Sequence, residues 1–506
     1  MRQLLSILGA VFVVFGLIAV LSSFASSGKV EDNSSSEYVK PILQDKYVEY
    51  DTDYTVTFVV NSTVYAGCGV NRGQAVLEPA VPTSEGLYFG GWYTSEQNGS
   101  EITFPFTPTS DTVLYASFTD KVVLGFTGLT DEVEGVIWTD IIRNKSLYTT
   151  SRKGDYVTVT SSLDDYFPFN QIEEFTDENG NVFVKFPKCY IKFITVGDSG
   201  SKAIDGFKVA NYQAEDDMFI PDCFLDPKDE TCSTYLDYFA LAKYESSGSA
   251  AMAYSKSGKD CLSGITLNQH RDAARAYGTA DNYYNGYQVE DFSMYSLYNM
   301  LCMLYFKTGD IQSVYEGRTG AIKGTTWVST AVTGTTDGVE GLNGWNTETH
   351  CVKMLGVENP YGNTEKFIDG VFTLATQRDG EVLPLLYVYK LPQYHNSLSA
   401  SYDKAVPVYI LANESGIIKN LKVGNMSTEA GDSYVVIAYP CSFSLGEDSE
   451  INDYYNYVST DLDVKMNITS SGNYSSGTNA GLWYWNSVQD TVSLDAGSRL
   501  AYRPVN

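Results

Sequence analysis

The chain has little positive charge for its size. Its 506 residues include 34 Lys and Arg against 62 Asp and Glu, which gives a formal net charge of −28. Nucleic acids and anionic lipid surfaces are bound by clustered Lys and Arg, so this balance argues against nucleic acid and against a membrane-binding surface. The length exceeds the roughly 250–300 residues at which a single hydrophobic core stops growing, so several folded units are expected.

The motifs of common enzymes and metal sites are lacking as well. The three histidines, His270, His350 and His395, lie outside any H-E-x-x-H sequence, and the chain contains no G-x-S-x-G or C-x-x-C. No catalytic residue is therefore predicted, and we expect a protein that is not an enzyme and has no cofactor. A structural calcium ion is left open, with no residues assigned to hold it.

The eight cysteines fit a protein of an oxidising compartment, where disulfides form. Cys223 and Cys232 bracket a short acidic loop and are the predicted disulfide pair. Cys302 lies within the apolar run 300–306, which favours a buried free thiol instead.

The N-terminus indicates the compartment. Arg2 precedes an apolar run over 4–21, and small and polar residues follow over 22–28. Residues 1–27 are therefore either a cleaved signal peptide or an uncleaved anchor close to the length that spans a bilayer. No second apolar segment of this length follows. We expect an exported protein, anchored or secreted at the cell surface or carried on a virion, that meets the membrane only through this segment.

Two further regions precede the long C-terminal part. Residues 28–52 are rich in Ser, Asp, Glu and Lys and are interpreted as a flexible spacer. A β module over 53–118 follows. Its first predicted strand covers 54–60, where apolar and polar residues alternate for most of the length, and its last covers 112–118.

The β module carries three motifs in order. They are P-x-x-P-T at 79–83, G-x-x-F-x-G-W-Y at 86–93 and L-Y-A-x-F at 114–118. In these motifs the module resembles the Listeria–Bacteroides repeat of bacterial surface proteins. The resemblance implies a small β-grasp-like fold, with Phe89 and Trp92 in its core, that serves as a spacer or an adhesion unit.

Residues 119–185 are interpreted as a β-rich connector. It contains the segment Asp177–Gly180, which joins two apolar stretches and therefore predicts a hairpin turn. A calcium loop is disfavoured there, because the segment lacks oxygen ligands at alternating positions. The last domain, 186–506, holds two predicted helices. One begins after Thr266 with a capping box, and the other, over 294–306, is apolar on every side and should be buried.

The last domain resembles the C-type-lectin-like fold. The carrying segments are F-P-K-x-Y-x-K at 186–192, L-A-K-Y-E at 241–245, G-V-E-N-P-Y-G-N-x-x-K-F-x-D-G at 356–370 and the closing 496–504. This fold is shared by formylglycine-generating enzymes (sulfatase-modifying factors), phage receptor-binding proteins and the variable proteins of diversity-generating retroelements. It implies an α+β domain with two helices and long irregular loops. This chain has Glu365 where the family usually has an aromatic residue.

The segment 473–487 predicts a binding surface. It combines Tyr and Trp with Ser, Asn and Gly, the composition of antibody-like binding loops. In the variable proteins that it resembles, the diversified segment precedes a G-x-R-like end, which 497–499 matches. The predicted ligand-binding residues are Tyr474, Asn479, Trp483, Tyr484, Trp485 and Asn486, together with Tyr454, Tyr455 and Tyr457. The alternative is that Trp483 and Trp485 are alternate residues of a core strand.

These patterns together predict a surface-displayed or virion-borne binding protein. Its partner would be a protein or a glycan on another cell or on a host. The E-P-N and W-N-D signatures of calcium-dependent sugar binding are absent from the chain. Two alternatives from other classes stay open. One is an oxidase of the formylglycine-generating type that uses Cys351 or Cys441, and the other is a structural component of a virion or surface layer.

Overall fold

The computed structural model divides the chain into two compact units, 1–120 and 121–506. The residues it describes are 38–84, 87–97, 99–127, 148–153, 156–196, 203–278, 285–315, 317–320, 330–338, 342–343, 351–378, 380–389, 391, 405–410, 415–423, 438–444, 451, 453–456, 462, 464–489, 491–492 and 494–504. The predicted signal peptide or anchor, 1–27, lies outside them. Within these ranges no helix is long and apolar enough to cross a membrane.

The described part of the first unit is a small β module. Its strands are β1 (Tyr38–Val39), β2 (Ile42–Leu43), β3 (Tyr54–Val60), β4 (Thr63–Val70), β5 (Ala75–Val76), β6 (Leu87–Tyr93) and β7 (Thr112–Asp120). A five-stranded sheet has the order β2-β4-β3-β7-β6, and β1 pairs with β5 in parallel. The β3–β4 hairpin turns at Asn61 and Ser62, whose φ angles of 46° and 61° suit a two-residue hairpin turn.

Aromatic rings form the core of this unit. Trp92 is 1% exposed, and its ring meets that of Phe58 edge-on with the centroids 4.8 Å apart. Phe89 packs against the same indole at 5.4 Å. The placement expected for Phe89 and Trp92 is confirmed. Edge-on pairs of this kind add to the stability that burial of the rings already provides.

Part of the predicted flexible spacer belongs to this module. Val39 is 4% exposed and lies in the core, and β1 and β2 add to the strands β5 and β4. The prediction of a flexible spacer over 28–52 is therefore corrected for residues 38–43. Two short apolar pairs within a polar segment are enough to join an existing sheet, although they are too short to stand out in the sequence.

The described residues of the second unit form strands β8 to β31 and two α-helices. The strands are β8 (Val123–Thr127), β9 (Tyr148–Lys153), β10 (Tyr156–Ser161), β11 (Glu173–Thr176), β12 (Val182–Pro187), β13 (Tyr190–Val196), β14 (Ala203–Ala210), β15 (Tyr238–Ala242), β16 (Ser247–Ser249), β17 (Met252–Tyr254), β18 (Tyr287–Val289), β19 (Leu342–Asn343), β20 (Lys353–Met354), β21 (Val357–Glu358), β22 (Glu365–Arg378), β23 (Glu381–Tyr389), β24 (Ala405–Ile410), β25 (Gly416–Val423), β26 (Ala438–Ser444), β27 (Tyr454–Asn456), β28 (Lys465–Ser470), β29 (Trp485–Val488), β30 (Ala496–Gly497) and β31 (Leu500–Tyr502). The helices are α1 (Leu267–Arg275) and α2 (Phe292–Phe306).

Two sheets dominate this unit. The larger follows the path β13-β14-β25-β27-β29-β28-β22-β23-β24, with β26, β30 and β8 attached beside it, and the smaller has the order β11-β12-β15-β31-β18. Helix α2 shares one core with Phe186 of the smaller sheet and Ile468 of the larger. Helix α1 shares a second core with Phe183, three residues from Phe186 on β12. This β-rich arrangement with two helices is compatible with the predicted α+β class.

Both predicted helices are present. Thr266 and Gln269 form the capping box of α1, because each side chain accepts a hydrogen bond from the main-chain N–H of the other. Helix α2 begins at Phe292, slightly earlier than predicted, and Asp291 caps its first turn. It is buried on all sides, and Cys302 within it is a fully buried free thiol, as expected.

The C-terminal strand closes the second unit through a buried arginine. Strand β31 lies between β15 and β18. Arg499, which precedes it, is 1% exposed and lies 3.8 Å from the carboxylate of Glu290. Its guanidinium donates to the main-chain carbonyl oxygens of Ala242, Lys243, Glu358 and Asn359. One side chain thus joins the C-terminus to the end of β15 and to the turn that precedes β22.

Most of the predicted connector, 119–185, is part of this unit. Strand β8 pairs with β14 of the larger sheet, and β11 and β12 extend the smaller one. The hairpin turn at Asp177–Gly180 is confirmed, with the carboxylate of Asp177 accepting from the N–H groups of Asn179 and Asn181. The structure therefore has no domain boundary at residue 185, because strand β12 continues across it.

Cys223 and Cys232 do not form the predicted disulfide. Cys223 is fully buried in the main core. Cys232 is half-buried in a turn whose N–H groups, at Thr231 and Ser233, bind the carboxylate of Asp229. The acidic loop between the two cysteines contains this turn, and hydrogen bonds to Asp229 hold the turn without a covalent link.

We predict that the buried His270 makes the second unit less stable at acidic pH. It is fully buried, its Nδ1 lies 2.9 Å from the Ser498 hydroxyl, and burial lowers its pKa to about 4. In the unfolded chain His270 has a pKa near 6.5, whereas in the folded chain it stays neutral down to about pH 4. The free energy of unfolding should therefore fall by up to about 3 kcal/mol as the pH falls from 6.5 to 4.

Urea unfolding at several pH values in this window checks this prediction. His270→Gln keeps a hydrogen-bonding side chain without the titration, so its stability should decline less steeply with acid than that of the wild type. Parallel declines for the two proteins would contradict the assignment.

Candidate functional site

Four neighbouring strands of the larger sheet bring predicted binding residues together. Their order is β27-β29-β28-β22. Asn456 is paired with Asn486, and Asn486 with Thr469, in one row across the strands. Successive side chains point to opposite faces, so the adjacent row, which holds Tyr455 and Trp485, faces the core. Asn456 and Asn486 are half-buried on the other face and reach the surface.

The tryptophans belong to the core. Trp485 is fully buried and packs edge-on against Phe292 of helix α2 at 5.4 Å. Trp483 is also fully buried and packs against Tyr295 of the same helix at 5.7 Å. With Tyr455, these rings are not available to a partner. The expectation that these three residues line a binding face is corrected. The alternative for the tryptophans holds in part, because both are core residues but only Trp485 lies in a strand.

A tight turn at Leu482 and Trp483 determines which way the neighbouring side chains point. Two side chains of helix α2 donate to the carbonyl of Leu482, and the N–H of Trp483 donates to Asp453 at 2.6 Å. Gly481 is required here, because a Cβ at this position would lie 1.6 Å from the Asp453 carboxylate. Held from both sides, the turn directs Trp483 inward and leaves Tyr484 on the opposite side.

The carboxylate of Glu365 is the centre of the outer face. Its Oε2 accepts from the Thr469 hydroxyl at 2.9 Å and from the Asn486 amide at 3.2 Å, and its Oε1 accepts from the Asn473 amide at 3.3 Å. The Tyr484 hydroxyl bonds to it as well. Burial raises the pKa of Glu365, whereas the bonds from Thr469, Asn486 and Tyr484 lower it. The Glu365 face consists of Glu365, Thr469, Asn473, Tyr484 and Asn486, together with the half-buried Tyr454 and Asn456.

The loop over 473–479 borders this face. The carbonyl of the Asn473 side chain accepts from the N–H of Ser475 at 2.9 Å, while its amide reaches Glu365. Ser475, Thr478 and Asn479 are exposed. The loop therefore offers small polar side chains to solvent from a backbone that the asparagine holds in place.

The charges near the face have both signs. The Tyr474 hydroxyl donates to Asp495 at 3.2 Å, and Asp495 raises the pKa of Glu365 further. Arg318 acts on Tyr474 and lowers its pKa, although burial and Asp495 outweigh it. The donors to Glu365 itself are all neutral side chains. The chemistry of the face is therefore hydrogen bonding around one carboxylate.

The structure separates the predicted residues into groups. Tyr454 and Asn486 are half-buried on the Glu365 face, and Asn479 is exposed in the bordering loop. Tyr484 on the face and Tyr474 at its side are both buried, each 7% exposed. Tyr457 lies outside the described residues. Sequence reasoning missed Glu365 and Thr469 as members of the site. One signal was available for Glu365, namely an acid where the resembling family has an aromatic residue.

Two observations concern metal binding and thiol chemistry. Among the described residues, no cluster of three or more His, Cys, Asp and Glu side chains is arranged to hold a metal ion. Cys351 is 1% exposed, and burial raises the pKa of its thiol to about 11. A thiol of this kind is protonated at neutral pH and is a poor nucleophile.

Comparison with known proteins identifies part of the chain. The model of the Listeria-Bacteroides repeat domain matches residues 54–117, within the first unit. Repeats of this family are typical of surface proteins, and the match supports an extracellular or surface location. No curated protein matches the chain significantly.

We predict that Glu365 organises the face. Glu365→Ala removes the acceptor of at least three side-chain donors and should lower the free energy of unfolding by about 1–3 kcal/mol, because partly buried donors lose their partner. Glu365→Gln keeps an acceptor and should cost less than Glu365→Ala. Urea unfolding of the two variants checks this, with Glu173→Ala as the control, since that side chain is 63% exposed. Equal stability of Glu365→Ala and the wild type would contradict the prediction.

Proposed function

We propose that the chain is a surface-displayed or virion-borne binding protein that contacts its partner through the Glu365 face. The observation that carries this proposal is the cluster of polar side chains around the half-buried carboxylate of Glu365, where Asn486, Asn456 and Tyr454 are half-buried beside the loop that exposes Asn479. The partner is a protein or a glycan on another cell or on a host. The Listeria-Bacteroides repeat supports the surface location and serves as a spacer or adhesion unit.

We also propose a C-type-lectin-like fold for the second unit. Two features of the described residues support it: the C-terminal strand β31 lies inside a sheet with β15 and β18, and helices α1 and α2 share cores with the sheets. The motif at 356–370 holds a buried network, in which Glu245 accepts from Asn359 and Asn363 and lies 3.2 Å from Lys366. Such a network fixes a framework from which loops can vary.

The rigid support under the face favours recognition. Polar side chains of Asn, Ser and Tyr adapt to a partner by hydrogen bonding, whereas the rings beneath them are locked by packing. We propose that the exposed positions are diversified in the manner of retroelement variable proteins. Buried positions cannot take part, because a change at Trp483 or Trp485 would disrupt the contact with helix α2.

The alternatives have weaker support. An oxidase of the formylglycine-generating type needs reactive thiols, and the burial of Cys351 disfavours that role, while the side chain of Cys441 lies outside the described residues. A structural role in a virion or surface layer would require the purified chain to assemble regularly. We therefore propose that the chain is not an enzyme and has no cofactor, with a structural calcium ion still open to test.

Sequencing codons 467–506 across many isolates tests diversification. Substitutions should concentrate at Ser475, Thr478, Asn479 and Asn486 and spare the buried Gly481, Trp483 and Trp485, beside a reverse transcriptase gene with an imperfect copy of the segment. The buried positions are the internal control. An invariant segment without such a copy, or substitutions spread evenly over buried and exposed codons, would remove diversification from the proposal.

A binding assay tests recognition directly. The labelled chain should bind members of a panel of bacterial and animal cells or a glycan array. The double variant Asn479→Ala/Asn486→Ala should lose most of that binding, because a few residues carry most of the energy of such interfaces. Asp237→Ala is the matched surface control, since its side chain is 71% exposed. Binding that both variants retain equally would refute the Glu365 face as the contact surface.

A further inference from the structure

Glu365 differs from most buried carboxylates of the second unit in having no cationic partner among the described residues. Four others are paired with a Lys or Arg. These pairs are Glu245–Lys366 at 3.2 Å, Glu290–Arg499 at 3.8 Å, Asp291–Arg503 at 2.8 Å and Asp369–Arg271 at 2.6 Å. A carboxylate withdrawn from water without a counter-charge is costly, which is why buried acids are usually paired.

Two other buried acids without an ion pair in these ranges are satisfied differently. Glu358 accepts from the N–H groups of Gly334 and Thr336, and Asp453 accepts from the N–H of Trp483. Such main-chain donors are fixed and turn the carboxylates into structural clamps. The donors to Glu365 are all neutral side chains, and Glu365 is only half-buried, so part of this residue remains accessible to a partner.

We propose that the Glu365 face receives the guanidinium or ammonium group of an Arg or Lys side chain that a protein partner presents. This inference rests on the proposed function, for which it names the chemistry of the partner. A guanidinium can donate to both carboxylate oxygens in one plane, and charge-assisted bonds of this kind are stronger than neutral ones. The half-buried ring of Tyr454, on the same face as Asn456, offers a surface on which a guanidinium can stack.

The surrounding charge favours the same partner. The chain has a net charge of −28, and Asp495 adds a second carboxylate near Glu365. The nearby Arg318 acts on Tyr474 at the side of the face. A field of this sign attracts a basic surface and accelerates association, an effect that salt screens.

A random peptide library displayed on phage, together with a glycan array, tests the inference on the full chain. The wild type should enrich peptides with Arg or Lys, and Glu365→Gln, which keeps the shape and removes the charge, should not. For resynthesised peptides, the dissociation constant should rise roughly tenfold or more in Glu365→Gln, or when citrulline replaces the arginine. Glu173→Gln is the matched control, since it makes the same change on an exposed side chain of the smaller sheet.

The outcomes separate this inference from the proposed function. Ligands bound equally by the wild type and Glu365→Gln, but lost in Asn479→Ala/Asn486→Ala, would overturn the cation inference and leave the face as the binding site. Enrichment of the same peptides by both forms, or equal affinity for arginine and citrulline peptides, would overturn it as well. Binding that survives all of these substitutions would refute the proposed function itself. Circular dichroism of each variant confirms that it is folded.

Discussion

The buried guanidinium of Arg499 is the constraint on which the second unit depends. Its four carbonyl acceptors come from two distant segments, the end of β15 and the turn before β22, and the arginine itself comes from the C-terminus. No hydrophobic contact could hold three segments so specifically, because hydrophobic burial has no direction. Without this side chain, four buried carbonyls and the carboxylate of Glu290 would lose a partner, and such losses cost several kcal/mol in proteins.

The position of the half-buried Glu365 carboxylate follows from this buried frame. The turn that Arg499 holds leads into β22, where Lys366 lies 3.2 Å from Glu245 inside the core and is 1% exposed. Since neighbouring side chains of a strand face opposite ways, anchoring Lys366 inward places Glu365 outward. The same rule turns Asn486 outward because Trp485 is packed against helix α2. Two buried anchors therefore determine which polar groups meet on the surface.

Local signals predicted local structure well. The capping box at Thr266, the turn at Asp177 and the motif around Trp92 depend on neighbours in sequence, and each forms as expected. The direction of Trp483 and Trp485 could not be derived in this way. Alternation predicts two faces but not which of them is buried. That choice depends on helix α2, because Tyr295 of this helix donates to the carbonyl of Leu482, 187 positions away in sequence. The link between Glu365 and Thr469, 104 positions apart, was hidden for the same reason.

The carboxylate at position 365 differs from an aromatic ring in what it can do. An aromatic ring there would add to the packing and would leave the neighbouring amides free to bond with each other or with water. A carboxylate instead gathers Thr469, Asn473 and Asn486 around one charge, which fixes their orientation before any partner arrives. Preorganised donors and acceptors lower the entropic cost of binding. The energy lost by partly desolvating Glu365 is then recovered most fully by a partner that brings positive charge.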